Sequence, residues 1–128
     1  MYEVVNNVAE YPEFLPWCAD ARILSHNETL MEAAILMKKG GVNHWFSTRN
    51  SLLKDKKIGI RLLDGPFKRL EGSWEFIELD DQACKIILKL EFEFSHGLGN
   101  SLIAPVFTRI ANTMVDSFCA RAHEVYRN

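Results

Sequence analysis

Four histidines, three cysteines and a run of closely spaced lysines and arginines are the side chains of this 128-residue chain best suited to chemistry. His26, His44, His96 and His123 stand far apart. None pairs with another at the i, i+4 spacing that brings two imidazoles to one metal on a helix, so they read as surface or turn residues. Cys18, Cys84 and Cys119 are odd in number and widely separated. That suits reduced, buried thiols in a cytosolic protein better than a disulfide framework. No histidine lies at a motif-like spacing from a cysteine, so a thiolate nucleophile is not indicated. The chain has no GxSxG, no phosphate-binding glycine loop and no dinucleotide fingerprint. Gly97-Leu98-Gly99 has the composition of an anion site before a helix but reads better as a hinge loop. The acidic pairs, Asp80-Asp81 and Glu91 with Glu93, fall on a turn and on the wet face of a strand, where they are solvated. No catalytic residue and no metal ligand is assigned.

Lys54, Lys56, Lys57, Arg61, Lys68 and Arg69 form the one local charge feature, in a section whose only acids are Asp55 and Asp64. Gathered on one side of adjacent hairpins, they would meet ribosomal RNA phosphates or anionic lipid headgroups; a solvated hairpin tip is the other reading. Aromatic residues are not interleaved there, so sequence-specific RNA reading is not expected. A net charge of −2 gives the whole chain no reason to bind DNA.

The elements that must position these groups follow from hydrophobic periodicity. From Asn100 to Tyr126 apolar residues recur in steps of three and four, which predicts a long helix with one continuous stripe that includes Cys119 and Val125. Asn100 or Ser101 can cap its start, and Pro105 is tolerated in its first turn. Between Arg22 and Phe94 the period is two. Strands are predicted near Ala21–His26, Thr29–Lys39, Val42–Lys54, Lys57–Leu63, Lys68–Leu79 and Ala83–Phe94, separated by short turn-forming links. Links that short join antiparallel neighbours, so the strands form a meander. Met1 to Val8 reads as the tail of a helix. Pro12 opens and Pro16 closes a short helical turn whose Phe14, Leu15 and Trp17 either plug one end of the core or form a lid.

The order is helix, short helix, six strands, long helix: an α+β protein in which one helix lies across one antiparallel sheet. At 128 residues, 48% of them hydrophobic and 25% charged, it is a single domain of ordinary soluble composition, with no span long enough for a membrane and no signal peptide. A curved sheet gripping a helix often encloses space. Phe46, Trp74, Phe76, Leu90, Phe92, Met114 and Phe118 would line it, as a pocket for a flat or flexible apolar ligand or as a filled core; periodicity leaves both open.

Three motifs add a resemblance. Tyr11-Pro12-Glu13-Phe14-Leu15-Pro16-Trp17-Cys18 resembles the opening motif of the RatA-type family of START-like proteins, also described as coenzyme Q-binding or polyketide cyclase/lipid-transport domains. Asp64-Gly65-Pro66-Phe67-Lys68-Arg69-Leu70-Glu71-Gly72-Ser73-Trp74 is similar to the second motif, and Met114-Val115-Asp116-Ser117-Phe118 with Arg121-Ala122 to the C-terminal helix signature. The resemblance covers essentially the whole chain. It implies a helix-grip (START-like) fold, a seven-stranded antiparallel sheet curled around the C-terminal helix. Between them it implies a tunnel for a hydrophobic molecule such as ubiquinone or a related polyprenyl lipid. Carried over by motif, Pro16, Trp17, Pro66, Phe67, Leu70, Trp74, Val115 and Phe118 are tunnel or entrance positions. With Phe14, Phe46, Phe76, Phe92 and Met114 they make the expected ligand-binding set.

The resemblance also implies a first strand before the position of Met1. The expectation is a sheet of six strands, with an N-terminally extended form more stable. Three functional readings follow. One is a non-enzymatic carrier or chaperone of a lipid, with no required cofactor and ubiquinone as ligand, supporting respiration. Another is a regulator that binds the large ribosomal subunit and blocks subunit association. The last is a polyketide cyclase, which needs a polar group such as Arg49 or His44 turned inward. The expected location is cytoplasmic, with transient contact at the inner membrane surface.

Overall fold

Residues 42 to 53 show how the alternation is used: Val42, Phe46, Thr48, Asn50 and Leu52 are buried, while Asn43, Arg49, Ser51 and Leu53 are exposed. The computed structural model describes residues 1–79, 84–94 and 103–125. Six strands run β1 (Cys18–His26), β2 (Leu30–Lys39), β3 (Val42–Leu53), β4 (Lys57–Asp64), β5 (Phe67–Glu78) and β6 (Cys84–Phe94). They pair antiparallel in chain order, an uncrossed meander. Lys39 faces Val42 across a two-residue loop in which Gly40 and Gly41 have φ of 57° and 87°. Two positive φ values in succession suit the right-handed twist of the flanking strands, and glycine adopts them without strain.

The sheet curves because its ladders slip. Register shifts fall between Cys18 and Asp20, Ile23 and Ser25, Ser47 and Thr48, and Phe67 and Arg69. Such irregularities bend a strand and increase its twist. Glycine makes one close approach possible: a Cβ at Gly72 would lie 2.0 Å from the carbonyl oxygen of Lys89 on β6.

Helix α1 (Tyr2–Asn6), a 3-10 turn (Val8–Glu10) and helix α2 (Tyr11–Phe14) precede the sheet. The expected helical tail through Val8 is cut short at Asn7, whose φ of −85° and ψ of 69° leave the helical region. Pro12 sits in the first turn of α2, and Leu15, just before Pro16, turns extended. Leu15 and Trp17 are buried, so the segment is a plug in this structure. The Trp17 carbonyl accepts from the Lys38 amide at 2.8 Å, which begins β1 three residues before Ala21.

Helix α3 (Ile103–Val125) crosses the concave face. At about 1.5 Å per residue its 23 residues span roughly 34 Å. Ile103, Val106, Phe107, Ile110, Phe118 and Ala122 are buried beneath it. Cys119 and Val125, expected in the stripe, are exposed. Cys119 lies about 100° round the helix from Phe118, which turns it to solvent and corrects the expectation of a buried thiol. The expectations for Asp80-Asp81, His96, Gly97-Leu98-Gly99, the Asn100 or Ser101 cap, Leu102, Tyr126 and the Cys84 side chain lie outside the described residues.

Candidate functional site

Two residues of α3, Phe107 and Phe118, organise the interior. They are eleven residues apart, close to three turns, so they share a face about 16 Å apart. Phe107 anchors one aromatic cluster, edge-on to Phe67 at 4.8 Å, Phe92 at 4.9 Å and Phe46 at 6.1 Å. Phe118 anchors the other, edge-on to Tyr11 at 5.1 Å, Trp74 at 5.1 Å and Phe14 at 5.4 Å. Such edge-to-face pairs place ring hydrogens against π faces.

Beneath the middle of the helix, framed by these clusters, is a cavity of about 80 Å3. Its wall comprises Val5, Val8, Tyr11 and Trp17 from the N-terminal segment, and Ala33, Ile35, Phe46, Thr48, Asn50, Ile58, Ile60, Leu70, Trp74 and Leu90 from the sheet. Phe107, Ile110 and Met114 close it from α3. An apolar cavity of roughly 150 Å3 is enough for benzene. In this conformation the cavity therefore has room for less than one aromatic ring, and a larger guest requires its wall to move.

Among the described residues, no histidine, carboxylate, lysine or arginine stands in that wall. Tyr11 donates its hydroxyl to the carbonyl oxygen of Val5, and burial pushes its pKa well above the ordinary phenol range. Cys18, behind Trp17, is likewise pushed up by burial, to about 11, so its thiol stays neutral. The polar groups the sequence reading passed over are Thr48 and Asn50. Both are 8% exposed and both stand in the cavity wall. The Thr48 hydroxyl donates to Asn50 Oδ1 at 2.9 Å. Their signal was available: 46, 48, 50 and 52 share one strand face, so two polar residues interrupt an inward apolar row.

Of the expected ligand set, Trp17, Phe46, Leu70, Trp74 and Met114 meet in the cavity wall. Phe67, Phe92 and Phe118 stand behind it in the two clusters, and Phe76 packs edge-on to Tyr2 at 5.8 Å. Pro66 is buried at the β4–β5 turn, whereas Pro16 is exposed. Val115 is rotated about 100° from Met114 and leaves the cavity for that reason. Phe14 is half-buried outside Phe118, with the Arg121 guanidinium 5.0 Å from its ring centre and 3.8 Å from Glu13. Arg121 thereby ties α2 to α3. Tyr11, Thr48, Asn50, Phe107 and Arg121 were not in the expected set.

The two groups that would have supported a cyclase turn outward. His44 is exposed, and Arg49 is exposed and paired with Glu32 at 2.9 Å. Among the described residues, no cluster of three potential metal ligands occurs.

The basic section does not gather. Lys54, Lys56 and Lys57 surround the β3–β4 turn. Lys68 and Arg69 follow the β4–β5 turn, at the opposite end of an eight-residue strand, roughly 23 Å away at about 3.3 Å per residue. Arg61 stands between them, opposite Arg49 and Glu71. Arg69 faces Glu71, Glu91 and Glu93 at 3.5 to 3.6 Å, so its charge is largely neutralised. Adjacent hairpin turns alternate between sheet ends, and one continuous patch is impossible for that reason.

Comparison with known proteins gives a consistent picture. The family model for polyketide cyclase / dehydrase and lipid transport matches residues 1–119. The chain is 44% identical over 126 residues to the ribosome association toxin RatA of Pseudomonas aeruginosa, covering 98% of this chain and 88% of that protein. It is 25% identical over 130 residues to the mitochondrial coenzyme Q-binding protein COQ10 homolog B of Xenopus laevis, covering 98% of this chain and 53% of that one. The ZhuI aromatase/cyclase from a Streptomyces species superposes with a TM-score of 0.83 at 17% identity, over 98% of this chain and 87% of that chain, a likeness of fold alone. Among the described residues, no helix is long and apolar enough to cross a membrane.

Proposed function

Because the chain belongs to the polyketide cyclase / dehydrase and lipid transport family, we propose that it is a non-enzymatic binding protein that associates with the ribosome. The observation that carries this reading is the 44% identity, across 98% of the chain, to a protein named as a ribosome association toxin. The large subunit is the proposed partner and interference with subunit association the proposed outcome. Lys54, Lys56 and Lys57, all exposed around the β3–β4 turn, are the proposed phosphate contacts. Co-sedimentation of the purified protein with large subunits tests it. Binding at low salt that falls as salt rises is expected, because each neutralised phosphate releases a counterion. No co-sedimentation at low salt would overturn the reading.

A second reading is favoured by the cavity: its largely apolar wall, which among the described residues holds no acid, base or metal ligand, suits binding rather than catalysis. The interior is proposed to hold a hydrophobic molecule, with ubiquinone or a related polyprenyl lipid as the candidate. Burial of such a guest contributes about 25 cal/mol per Å2 of apolar surface. The two roles use different surfaces, so one chain can perform both in the cytoplasm, with brief membrane contact for loading. Mass spectrometry of a solvent extract of the purified protein should reveal a stoichiometric apolar lipid. Extracts without one, together with no uptake of added quinone, would remove this reading and leave the ribosomal one intact.

A further inference from the structure

The cavity has a polar pole, and we infer that Asn50, held by Thr48, selects guests carrying a neutral hydrogen-bond acceptor, a ketone or quinone carbonyl, over pure hydrocarbons and over carboxylates. The inference deepens the cavity reading above and rests on it. Phe46, Thr48, Asn50 and Leu52 point inward from β3, and the two polar members are adjacent on that face. Thr48 occupies the amide oxygen of Asn50 with a 2.9 Å hydrogen bond. That leaves the amide nitrogen as the group free to donate. Among the described residues, no acceptor bonds it. The remaining described wall is Ile, Leu, Val, Ala, Met and aromatic side chains; its other polar atoms are the Tyr11 hydroxyl, committed to Val5, and the indole N–H groups of Trp17 and Trp74.

Such an arrangement discriminates in two ways. A carbonyl placed near Asn50 recovers the hydrogen bond it loses on leaving water, whereas against the aliphatic part of the wall it would not. A carboxylate gains no counter-charge from the described wall, which holds no lysine, arginine or histidine. Burial of an unpaired anion is far costlier than burial of a neutral carbonyl. The threonine is a positioning residue: its hydroxyl fixes which end of the amide faces the guest.

The test uses α-tetralone, tetralin and 1-naphthoate as probes, bicyclic molecules of similar size that differ in the polar group. Binding to the full chain is measured by calorimetry for the wild type, Asn50→Leu and Thr48→Val. Asn50→Leu is expected to weaken α-tetralone about fivefold or more, the worth of a neutral hydrogen bond, while leaving tetralin unchanged or tighter. Thr48→Val should weaken α-tetralone less, and 1-naphthoate should bind least well to the wild type. A thermal melt of each variant confirms that it folds, and Thr48→Val, which keeps shape and volume, carries the test if Asn50→Leu does not fold. Equal weakening of α-tetralone and tetralin in the variants, or 1-naphthoate binding as tightly as α-tetralone, would overturn the inference while sparing the cavity reading. If none of the three probes binds the wild type, the cavity reading fails and the inference falls with it.

Discussion

Phe118→Ala should be among the costliest single substitutions in this protein, and the structure sets its size. Phe118 has no exposed surface and lies edge-on to three rings, Tyr11, Phe14 and Trp74, at 5.1 to 5.4 Å. Truncation of a buried phenylalanine to alanine costs about 3–5 kcal/mol in transfer and cavity terms. Three lost aromatic contacts, each worth about 0.5–1.5 kcal/mol beyond area, place this site near the upper end of that range. Unfolding entropy of about 2.1 cal/mol/K per residue, over a chain of 128 residues, converts a loss of about 4–5 kcal/mol into a Tm lower by roughly 15–19 °C. Calorimetry of wild type and variant measures it, with Val125→Ala, exposed on the same helix, as the control expected to move little. The void would open beside Tyr11 and Trp74, both in the cavity wall, so benzene should raise the Tm of Phe118→Ala more than that of the wild type. A Tm drop below 5 °C would refute the view that Phe118 joins plug, helix and sheet.

The remaining predictions are briefer. Gly72→Ala would place a methyl 2.0 Å from the Lys89 carbonyl oxygen, against backbone that cannot rotate away; a loss of at least about 3 kcal/mol in urea unfolding is expected. Stability should fall as pH rises from 9 toward 11. The Cys18 thiol ionises near 9.0 unfolded and near 11 folded, so its contribution is whole below pH 9 and lost through pH 11. Cys18→Ala should remove the part that begins near pH 9 and leave the part due to Tyr2 and Tyr11, whose pKa values burial also raises. Replacement of Lys54, Lys56 and Lys57 by glutamine should weaken ribosome co-sedimentation and flatten its salt dependence by up to about three phosphate contacts. The same change at Lys68 and Arg69 should do less, since Arg69 is already paired with three glutamates; equal effects from both ends would count against this assignment.

Much of the fold was legible because it is written in short-range pattern. Period-two alternation located all six strands to within three residues at each end, and Gly40-Gly41 marked a hairpin that only a positive-φ pair could make. Among the described residues the apolar stripe on α3 was read correctly except at Cys119 and Val125, which are exposed; at Cys119 a one-residue step from Phe118, about 100° of rotation, decides between core and solvent. The site was less legible. Strand alternation gives the face on which Thr48 and Asn50 lie, but polar residues on a strand are normally assigned to solvent, and only burial of that entire face reverses the assignment. The tie that Arg121 makes between α2 and α3 was not legible, since Glu13 and Phe14 are more than a hundred residues away in the chain and the local pattern offers only Glu124 one turn on.

By itself, then, the sequence determined the element order, the antiparallel meander, the long covering helix and the kinship carried by three motifs. These depend on neighbours a few residues apart, on backbone preferences and on which side of an element is apolar. Tertiary structure alone decided where the sheet bends, which side chains frame a cavity beneath α3, that the basic section divides between opposite sheet ends, and that Asn50 is left with an amide nitrogen to offer a guest. Those outcomes depend on ladder slips and on packing between segments remote in the chain, quantities that no local period encodes.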